Sequence, residues 1–228
     1  MIDEYLANGY QIFRNIIPPS LLADLRCQAD IARDLAHQLN GRQTQRIQPL
    51  DQYGDRIDLQ PFRDYVELPV LKDAVEALLG PGYTHGHLHV MGLLVEPLDH
   101  PWHCGWHRDG VVEVPIAGRD QEVRDSVNEV WHDLRIFNQV NCALYADSCT
   151  WFVPGSHLRS FDLPGAQPMH LNAGDFMIYR SHGWHTGLYL PYQPRATIHD
   201  IVSHPDREQV TARWRTAQQK ARAALEVQ

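Results

Sequence analysis

Short strand-like segments separated by Pro, Gly and Asp turns fill the chain from Tyr83 to residue 202, and they constrain the fold more than any other feature. Their apolar residues alternate or form brief runs, which is typical of β-strands. The predicted strands lie at residues 84–95, 106–114, 135–145, 151–153, 168–170, 175–180, 185–190 and 195–202. So many short strands in succession favour a β-sandwich or a jelly roll with flanking helices.

The predicted helices lie mostly ahead of these strands. A short helix ends at Gly9 and is followed by a strand that contains Tyr10 and Ile12, whereas Ser20 can cap a longer helix. The remaining predictions are helices at residues 21–39, 71–79 and 205–227, a polar loop at 42–63, and a loop or helical insertion at 119–131. We expect the N-terminal helices to pack on the sheet and the last helix to be exposed.

Length and composition limit the class of protein. With 228 residues, we expect one domain over residues 1–228, with helical support at 1–82, a β core at 83–204 and a terminal helix at 205–228. A formal net charge of -8, with no long basic or apolar run, argues against nucleic-acid or membrane partners. Four cysteines without a Cys-x-x-Cys pair indicate reduced thiols, so we expect a cytoplasmic protein.

The stretch His107-Arg108-Asp109 places a histidine and an aspartate two residues apart. On a strand such residues point to the same face, so one imidazole nitrogen and one carboxylate oxygen can reach a single metal ion. A third ligand could come from His182 or His185, which follow in a histidine-rich run. Two histidines and one carboxylate form the facial triad of non-heme Fe(II) oxygenases. The alternative is a surface turn with a salt-bridged aspartate.

Arg195 follows the histidine-rich run across a turn. In a hairpin centred near Tyr192, residues 185, 187 and 189 would share a face with residues 199, 197 and 195. A guanidinium binds a carboxylate through two parallel hydrogen bonds. Arg195 could therefore hold the distal carboxylate of a metal-chelating 2-oxo diacid, and the hydroxyl of Thr197 could assist.

Five sequence elements occur in an order that resembles the phytanoyl-CoA dioxygenase family of Fe(II)/2-oxoglutarate oxygenases. They are His107-x-Asp109, Val153-Pro154-Gly155-Ser156-His157, Gly174-Asp175, His185 and Arg195, and the opening at residues 9–18 is also similar. The resemblance covers roughly residues 5–202. Two features depart from the family: the chain is short, and Gly187 stands where some members carry a Ser that helps to hold the cosubstrate.

The resemblance implies a double-stranded β-helix (jelly roll, cupin-like) that binds Fe(II) and 2-oxoglutarate and consumes O2. By resemblance, the catalytic and metal-binding residues are His107, Asp109 and His185, and Arg195 binds the distal carboxylate of 2-oxoglutarate. The implied activity is a dioxygenase that hydroxylates an unactivated C–H bond of a small metabolite and releases succinate and CO2. Desaturation and ring formation are other outcomes of the same chemistry.

The remaining histidines leave alternatives open. His85, His87 and His89 alternate in a predicted strand and form either a polar pocket wall or a second metal site. One of them, for which we take His89, or else Tyr83, is expected to contact the 1-carboxylate of 2-oxoglutarate. His157 follows a Pro-Gly-Ser turn and is predicted to be structural. Competing functions are a cupin-like metal-dependent isomerase, a non-catalytic small-molecule binding protein and a purely structural β-sandwich.

Overall fold

Two antiparallel β-sheets organise the computed structural model, which describes residues 1–109, 130–158 and 165–226. The larger sheet has the strand order β1-β9-β6-β11-β4-β2, with β3 also paired to β11, and the smaller sheet has the order β5-β10-β7-β8. The strands are β1 (Tyr10–Phe13), β2 (Arg46–Ile47), β3 (Thr84–His85), β4 (Gly92–Val95), β5 (Trp102–His103), β6 (Asn138–Ala143), β7 (Thr150–Phe152), β8 (Gln167–Pro168), β9 (Phe176–Arg180), β10 (His185–Tyr189) and β11 (Ala196–Ser203).

Helices flank the sheets at both ends of the chain. They are α1 (Ile2–Asn8), α2 (Pro19–Asn40), α3 (Gln60–Glu67), α4 (Pro69–Leu79) and α5 (Arg207–Glu226), with short 3-10 turns at Leu50–Tyr53 and Ser156–Leu158. Gly9 ends α1 as predicted, because its φ of 84° is a left-handed conformation that glycine adopts without a side-chain clash. Within the described residues, no helix is both long and apolar enough to cross a membrane.

Strand β9 shows how the layers are built. Its five residues are all buried, and their side chains alternate between two cores. Phe176 and Ile178 pack in the large core under the N-terminal helices, whereas Met177 and Tyr179 pack towards Phe152 of the smaller sheet. The helices therefore cover the outer face of the larger sheet, and the two sheets face each other. This arrangement confirms the predicted jelly-roll, cupin-like fold with N-terminal helices packed on the sheet.

Two local predictions were wrong. The expected loop at residues 42–63 contains β2, the 3-10 turn at Leu50–Tyr53 and the start of α3. The expected strand at 84–95 is interrupted by a turn at residues 88–90, so the three histidines in its first half do not share a face. His85 is buried, His87 is half-buried and His89 is exposed. The strands β1 and β2 also show that residues 1–82 contribute to the sheet as well as to its support.

The predicted hairpin between residues 185–190 and 195–202 is also wrong. Strand β10 pairs with β5 and β7, whereas β11 pairs with β3, β4 and β6, so the two strands lie in opposite sheets. The terminal helix α5 is only partly exposed, because Val210, Trp214 and Ala217 pack against Trp131 and Ile136. The predicted strand at 106–114 is described only to Asp109, where His107 forms an isolated bridge, and most of the predicted insertion at 119–131 lies outside the described residues.

Candidate metal centre

Backbone hydrogen bonds hold the two histidines of the predicted triad next to each other. His107 and His185 form an isolated antiparallel bridge in which each backbone N–H donates to the carbonyl of the other at 3.1 Å. The N–H of Asp109 then donates to the carbonyl of Ser181 at 2.8 Å, which continues the attachment to the segment before β10. Two residues in one strand-like stretch and one residue in β10 are thereby held on one side of the smaller sheet.

Three side chains converge on one point. His107 Nε2 lies 3.6 Å from one carboxylate oxygen of Asp109, and His185 Nε2 lies 3.7 Å from the other. One ligand atom from each residue lies within 4.8 Å of the others, so the three could hold a metal ion. The structure thus brings together His107, Asp109 and His185, which the sequence had singled out. Two nitrogens and one carboxylate oxygen suit Fe(II) and leave positions for further ligands.

Backbone carbonyls orient both imidazoles. His107 Nδ1 lies 2.7 Å from the carbonyl oxygen of Gly105, and His185 Nδ1 lies 2.9 Å from that of Gly183. Because a carbonyl only accepts hydrogen bonds, Nδ1 must carry a proton, so in the neutral form of each ring the lone pair lies on Nε2, where a metal can bind. Both rings are therefore set in the tautomer that ligation through Nε2 requires.

A pair of polar side chains on the larger sheet positions the carboxylate. Gln139 of β6 donates a side-chain N–H to Asp109 Oδ2, and its own side-chain oxygen accepts a hydrogen bond from the Tyr179 hydroxyl at 2.6 Å. Burial raises the pKa of Tyr179 well above its usual value, so the hydroxyl keeps the proton that it donates. The chain from Tyr179 through Gln139 to Asp109 fixes the direction of one metal ligand.

Protons compete with a metal ion at this site. The Cys104 thiol beside His107 raises the pKa of that imidazole to about 9, outweighing the opposing effect of its burial. Burial lowers the pKa of His185, although the charge of Asp109 opposes this shift. A cation bound by the three ligands must displace the proton of His107, so metal binding should release protons and weaken as the pH falls.

The triad opens into a cavity of about 310 Å³, here called the first cavity. His199 lines it from β11 and hydrogen-bonds Asn141 at 2.9 Å, and burial lowers the pKa of His199 to about 4, so its ring is neutral at neutral pH. The first cavity is further lined by the triad, Thr44, Arg46, Leu94, Trp102, Cys104, Gln139, Asn141, Thr150, Tyr179, Thr186, Gly187 and Tyr189. Residues of both sheets therefore enclose the space beside the triad.

Arg195 is buried near the first cavity without lining it, and its guanidinium lies 4.0 Å from the ring centroid of Tyr189, which does line the cavity. Its Nε donates to Asp147 Oδ2 at 3.2 Å, and the hydroxyl of Thr197 donates to the same oxygen at 3.0 Å. Burial raises the pKa of the Asp147 carboxyl, but the Arg195 guanidinium together with hydrogen bonds from Cys149 and Thr197 lowers it by more, so the net shift is downward. Within the described residues, neither Nη1 nor Nη2 of Arg195 has a hydrogen-bond partner. Buried guanidinium nitrogens are costly to leave unpaired, so these two donors suit a carboxylate ligand.

Tyr189 occupies the space that Gly187 leaves open. A Cβ added at Gly187 would lie 2.4 Å from the Tyr189 hydroxyl oxygen, and the Tyr189 ring lies 4.0 Å from the Arg195 guanidinium. Trp102 stacks on the other side of the ring, with centroids 5.0 Å apart. The missing side chain at position 187 is therefore matched by a tyrosine hydroxyl that lines the first cavity.

The other histidines considered in the sequence lie outside the triad. His89 lies in an exposed turn and does not line the first cavity, so its assignment to the 1-carboxylate has no support from its position. His182, the rival to His185, is buried against Phe137 and Trp131 and is not part of the triad. His157 is buried, and its Nε2 lies 2.9 Å from the Leu6 carbonyl, as a structural histidine would.

Sequence reasoning missed several residues that complete the site. Gln139, Asp147 and Tyr189 orient or surround the predicted groups, yet none forms a local motif with them. Asp147 stands 48 positions before Arg195, and Gln139 stands 30 positions after Asp109. An unpaired polar residue in a predicted buried strand was the available signal for Gln139.

No protein-family model and no curated protein matches the sequence. Solved structures do match. AviO1 from Streptomyces viridochromogenes has 17% sequence identity and a TM-score of 0.63, with 90% of this chain and 93% of that chain covered. The non-heme monooxygenase ThoJ in complex with Ni has 18% identity and a TM-score of 0.62, with 90% and 77% covered.

A third solved structure is the epimerase SnoN in complex with Fe3+, α-ketoglutarate and nogalamycin RO. It has 17% identity and a TM-score of 0.60, with 89% of this chain and 82% of that chain covered. At such identities the likeness establishes the fold, a double-stranded β-helix. Membership of the phytanoyl-CoA dioxygenase family stays a prediction.

Proposed function

We propose that this protein is an Fe(II)- and 2-oxoglutarate-dependent oxygenase that hydroxylates an unactivated C–H bond of a small metabolite. One observation carries the proposal: the ligand atoms of the triad lie within 4.8 Å of one another, beside a cavity whose lining residue Tyr189 contacts the guanidinium of buried Arg195, which has two nitrogens without a hydrogen-bond partner among the described residues. The fold is shared with ThoJ, a non-heme monooxygenase, and with SnoN, an epimerase in complex with Fe3+ and α-ketoglutarate, which supports the same class.

The residues present fit both groups. The triad would hold Fe(II) through His107 Nε2, Asp109 and His185 Nε2, and Gln139 would keep the carboxylate in place. Arg195, held by Asp147, would receive the distal carboxylate of 2-oxoglutarate, with Thr197 supporting Asp147 from the same side. Bound Fe(II) and 2-oxoglutarate would supply the O2-dependent oxidation, with succinate and CO2 as coproducts.

The chain's own residues would bind and orient the metal, the cosubstrate and the substrate, and would exclude water from the site. Trp102 and Tyr189 stack on each other and add two aromatic rings to the wall of the cavity. The neutral imidazole of His199 adds a polar group on the larger sheet without adding a charge. A dry, shaped site with fixed ligands directs the oxidation to a bound substrate rather than to the protein.

The first test measures binding and turnover together. We expect anaerobic Fe(II) with 2-oxoglutarate to give the metal-to-ligand charge-transfer absorption of a chelated 2-oxo acid, and O2 to then yield succinate. His107→Ala and Asp109→Ala should abolish both signals. Asp99→Ala and His100→Ala remove an exposed His–Asp pair with a 2.7 Å contact and serve as matched controls that should keep both signals. Unchanged succinate formation in His107→Ala would overturn the proposal.

The fate of the substrate separates the candidate reactions. Hydroxylation adds one oxygen atom to the product, desaturation and ring formation remove two hydrogen atoms, and isomerisation leaves the mass unchanged. A cupin-like isomerase or a binding protein would also form no succinate. Product mass spectrometry over a metabolite panel, with succinate measured in parallel, therefore tests the proposed hydroxylation against its alternatives.

A further inference from the structure

A second cavity of about 300 Å³ adjoins the metal centre and is lined on one side by residues of helix α5. Two residues, Asp109 and Gln139, line both cavities. Asp109 is a candidate metal ligand, so a molecule in the second cavity lies next to the metal centre. The first cavity contains the groups suited to a cosubstrate, which leaves the second for another molecule.

Part of the wall of this second cavity is apolar. Its apolar lining residues are Ile136, Phe137, Ile201, Val202 and Trp214. The rings of Phe137 and Trp214 meet edge to face with centroids 5.5 Å apart. Phe137 has a φ of 64°, a conformation that is costly for a bulky residue, and its carbonyl accepts a hydrogen bond from the Ser181 N–H at 2.8 Å. The wall is therefore held in place by its surroundings.

The rim of the second cavity is cationic. Arg207 and Arg215 of α5 both line it, eight positions apart on one face of the helix, with Thr211 between them. Both arginines are exposed, and neither forms an ion pair within the described part of the chain. Among the described lining residues, Asp109 is the only acidic one, and it would be neutralised by a metal. A protein with a net charge of -8 thus presents here two guanidinium groups that have no ion-pair partner among the described residues.

We propose that the second cavity binds the substrate and that this substrate combines an apolar body with an oxyanion, either a carboxylate or a phosphate. The apolar body would lie on Phe137 and Trp214, next to the metal centre. The oxyanion would lie at the rim, where Arg207 and Arg215 can each donate two parallel hydrogen bonds. This inference rests on the proposed function, since it identifies the second cavity as the substrate site of the oxygenase.

The test compares small probes of matched shape by isothermal titration calorimetry. The probes are 4-phenylbutyrate, its uncharged analogue 4-phenylbutyramide, and phenyl phosphate. The full chain is loaded anaerobically with Mn(II) and 2-oxoglutarate, so that Arg195 is occupied and cannot bind the probe. We expect at least one of the two anions to bind about tenfold or more tightly than the amide, and the stronger of the two identifies the oxyanion.

Substitutions in helix α5 test whether the anionic probes bind at the rim of the second cavity. Arg207→Gln combined with Arg215→Gln should abolish the preference for the anion over the amide. The charge-matched control combines Arg213→Gln with Arg222→Gln, which change the same helix but do not line the cavity, and it should bind all three probes as the unmodified chain does. Equal binding of anions and amide, no binding of either anion, or full anion preference in the Arg207/Arg215 variant would each overturn the inference.

The two proposals fail in different ways. A separate Mn(II) titration measures the triad, and a titration of 2-oxoglutarate into the Mn(II)-loaded chain measures the cosubstrate site. Absence of Mn(II) binding would count against the proposed function, whereas loss of anion preference with intact Mn(II) and 2-oxoglutarate binding would count only against the cationic substrate site.

Discussion

His107 and His185 exchange two backbone hydrogen bonds of 3.1 Å, and their rings lie with centroids 4.3 Å apart. This bridge ties the ligand-bearing segment to the start of β10 at the point where the metal would lie. Since each ring is also anchored through Nδ1, both Nε2 atoms are set before any metal arrives. The predictions below follow from this preformed geometry and from the buried charges around it.

Removing the amide that holds Asp109 should weaken metal binding. In Gln139→Leu the carboxylate loses its donor, so we expect Mn(II) affinity to fall about 10–100-fold while the ligands remain. Gln167→Leu is the matched control, because this exposed glutamine contacts only the Tyr10 hydroxyl among its described hydrogen bonds. Mn(II) titration followed by electron paramagnetic resonance measures the change. Equal affinities in the two variants would contradict the positioning role of Gln139.

Removing only one partner of the buried Arg195–Asp147 ion pair should lower the stability of the folded protein. Asp147→Asn leaves a buried guanidinium without its counter-charge, and we expect the free energy of unfolding to fall by about 3–5 kcal/mol. Asp64→Asn, at an exposed position, should change it little. The double variant Asp147→Leu/Arg195→Met should recover much of the stability but lose 2-oxoglutarate binding. Urea denaturation reports the stability, and a double variant no more stable than Asp147→Asn would argue against a charge effect.

A side chain at position 187 should disturb the cosubstrate site. In Gly187→Ala the new Cβ meets the Tyr189 hydroxyl at 2.4 Å, and Tyr189 is confined between Trp102 and Arg195. We expect a stability loss of about 1–3 kcal/mol from overpacking, together with weaker 2-oxoglutarate binding. Gly105→Ala is the control, since a Cβ there meets no atom within 4 Å. Thermal unfolding with and without 2-oxoglutarate distinguishes the two variants.

The buried carboxyl of Asp200 should make stability depend on pH. Burial raises the pKa of Asp200 to about 7, against the opposing effect of nearby backbone N–H groups. Because the folded-state pKa lies above the ordinary aspartate value of 3.8, the stabilising contribution is present at low pH and is lost as the pH rises towards 7. The loss should approach about 1.4 kcal/mol per pH unit between these limits.

Comparison with Asp200→Asn isolates this effect. Burial lowers the pKa values of His85, His157 and His199 to about 4, so these histidines destabilise the fold on acidification in both proteins and cancel in the difference. The stability of Asp200→Asn relative to the unmodified chain should therefore increase from pH 4 to pH 7. Denaturation curves across this range provide the measurement, and a constant difference would show that Asp200 does not titrate there.

Much of the site could be predicted because it is encoded locally. His107 and Asp109 are two positions apart, and the histidine-rich run offered two candidates for the third ligand, of which His185 joins the triad. The partners of these residues could not be predicted. Asp147 reaches Arg195 across 48 positions, and no periodicity relates the two. The hairpin prediction failed for a related reason, because alternation assigns side chains to faces but does not select the strand beside them.

The sequence by itself determined the elements: where most helices and strands form, which face of each strand is apolar, and which residue types could ligate a metal. Those properties depend on neighbours within a few positions, so they can be read along the chain. Only the tertiary structure decided that β10 and β11 lie in opposite sheets, that Gln139 holds Asp109, and that a second cavity opens under α5. These features depend on contacts between distant segments, which form only when the whole core packs.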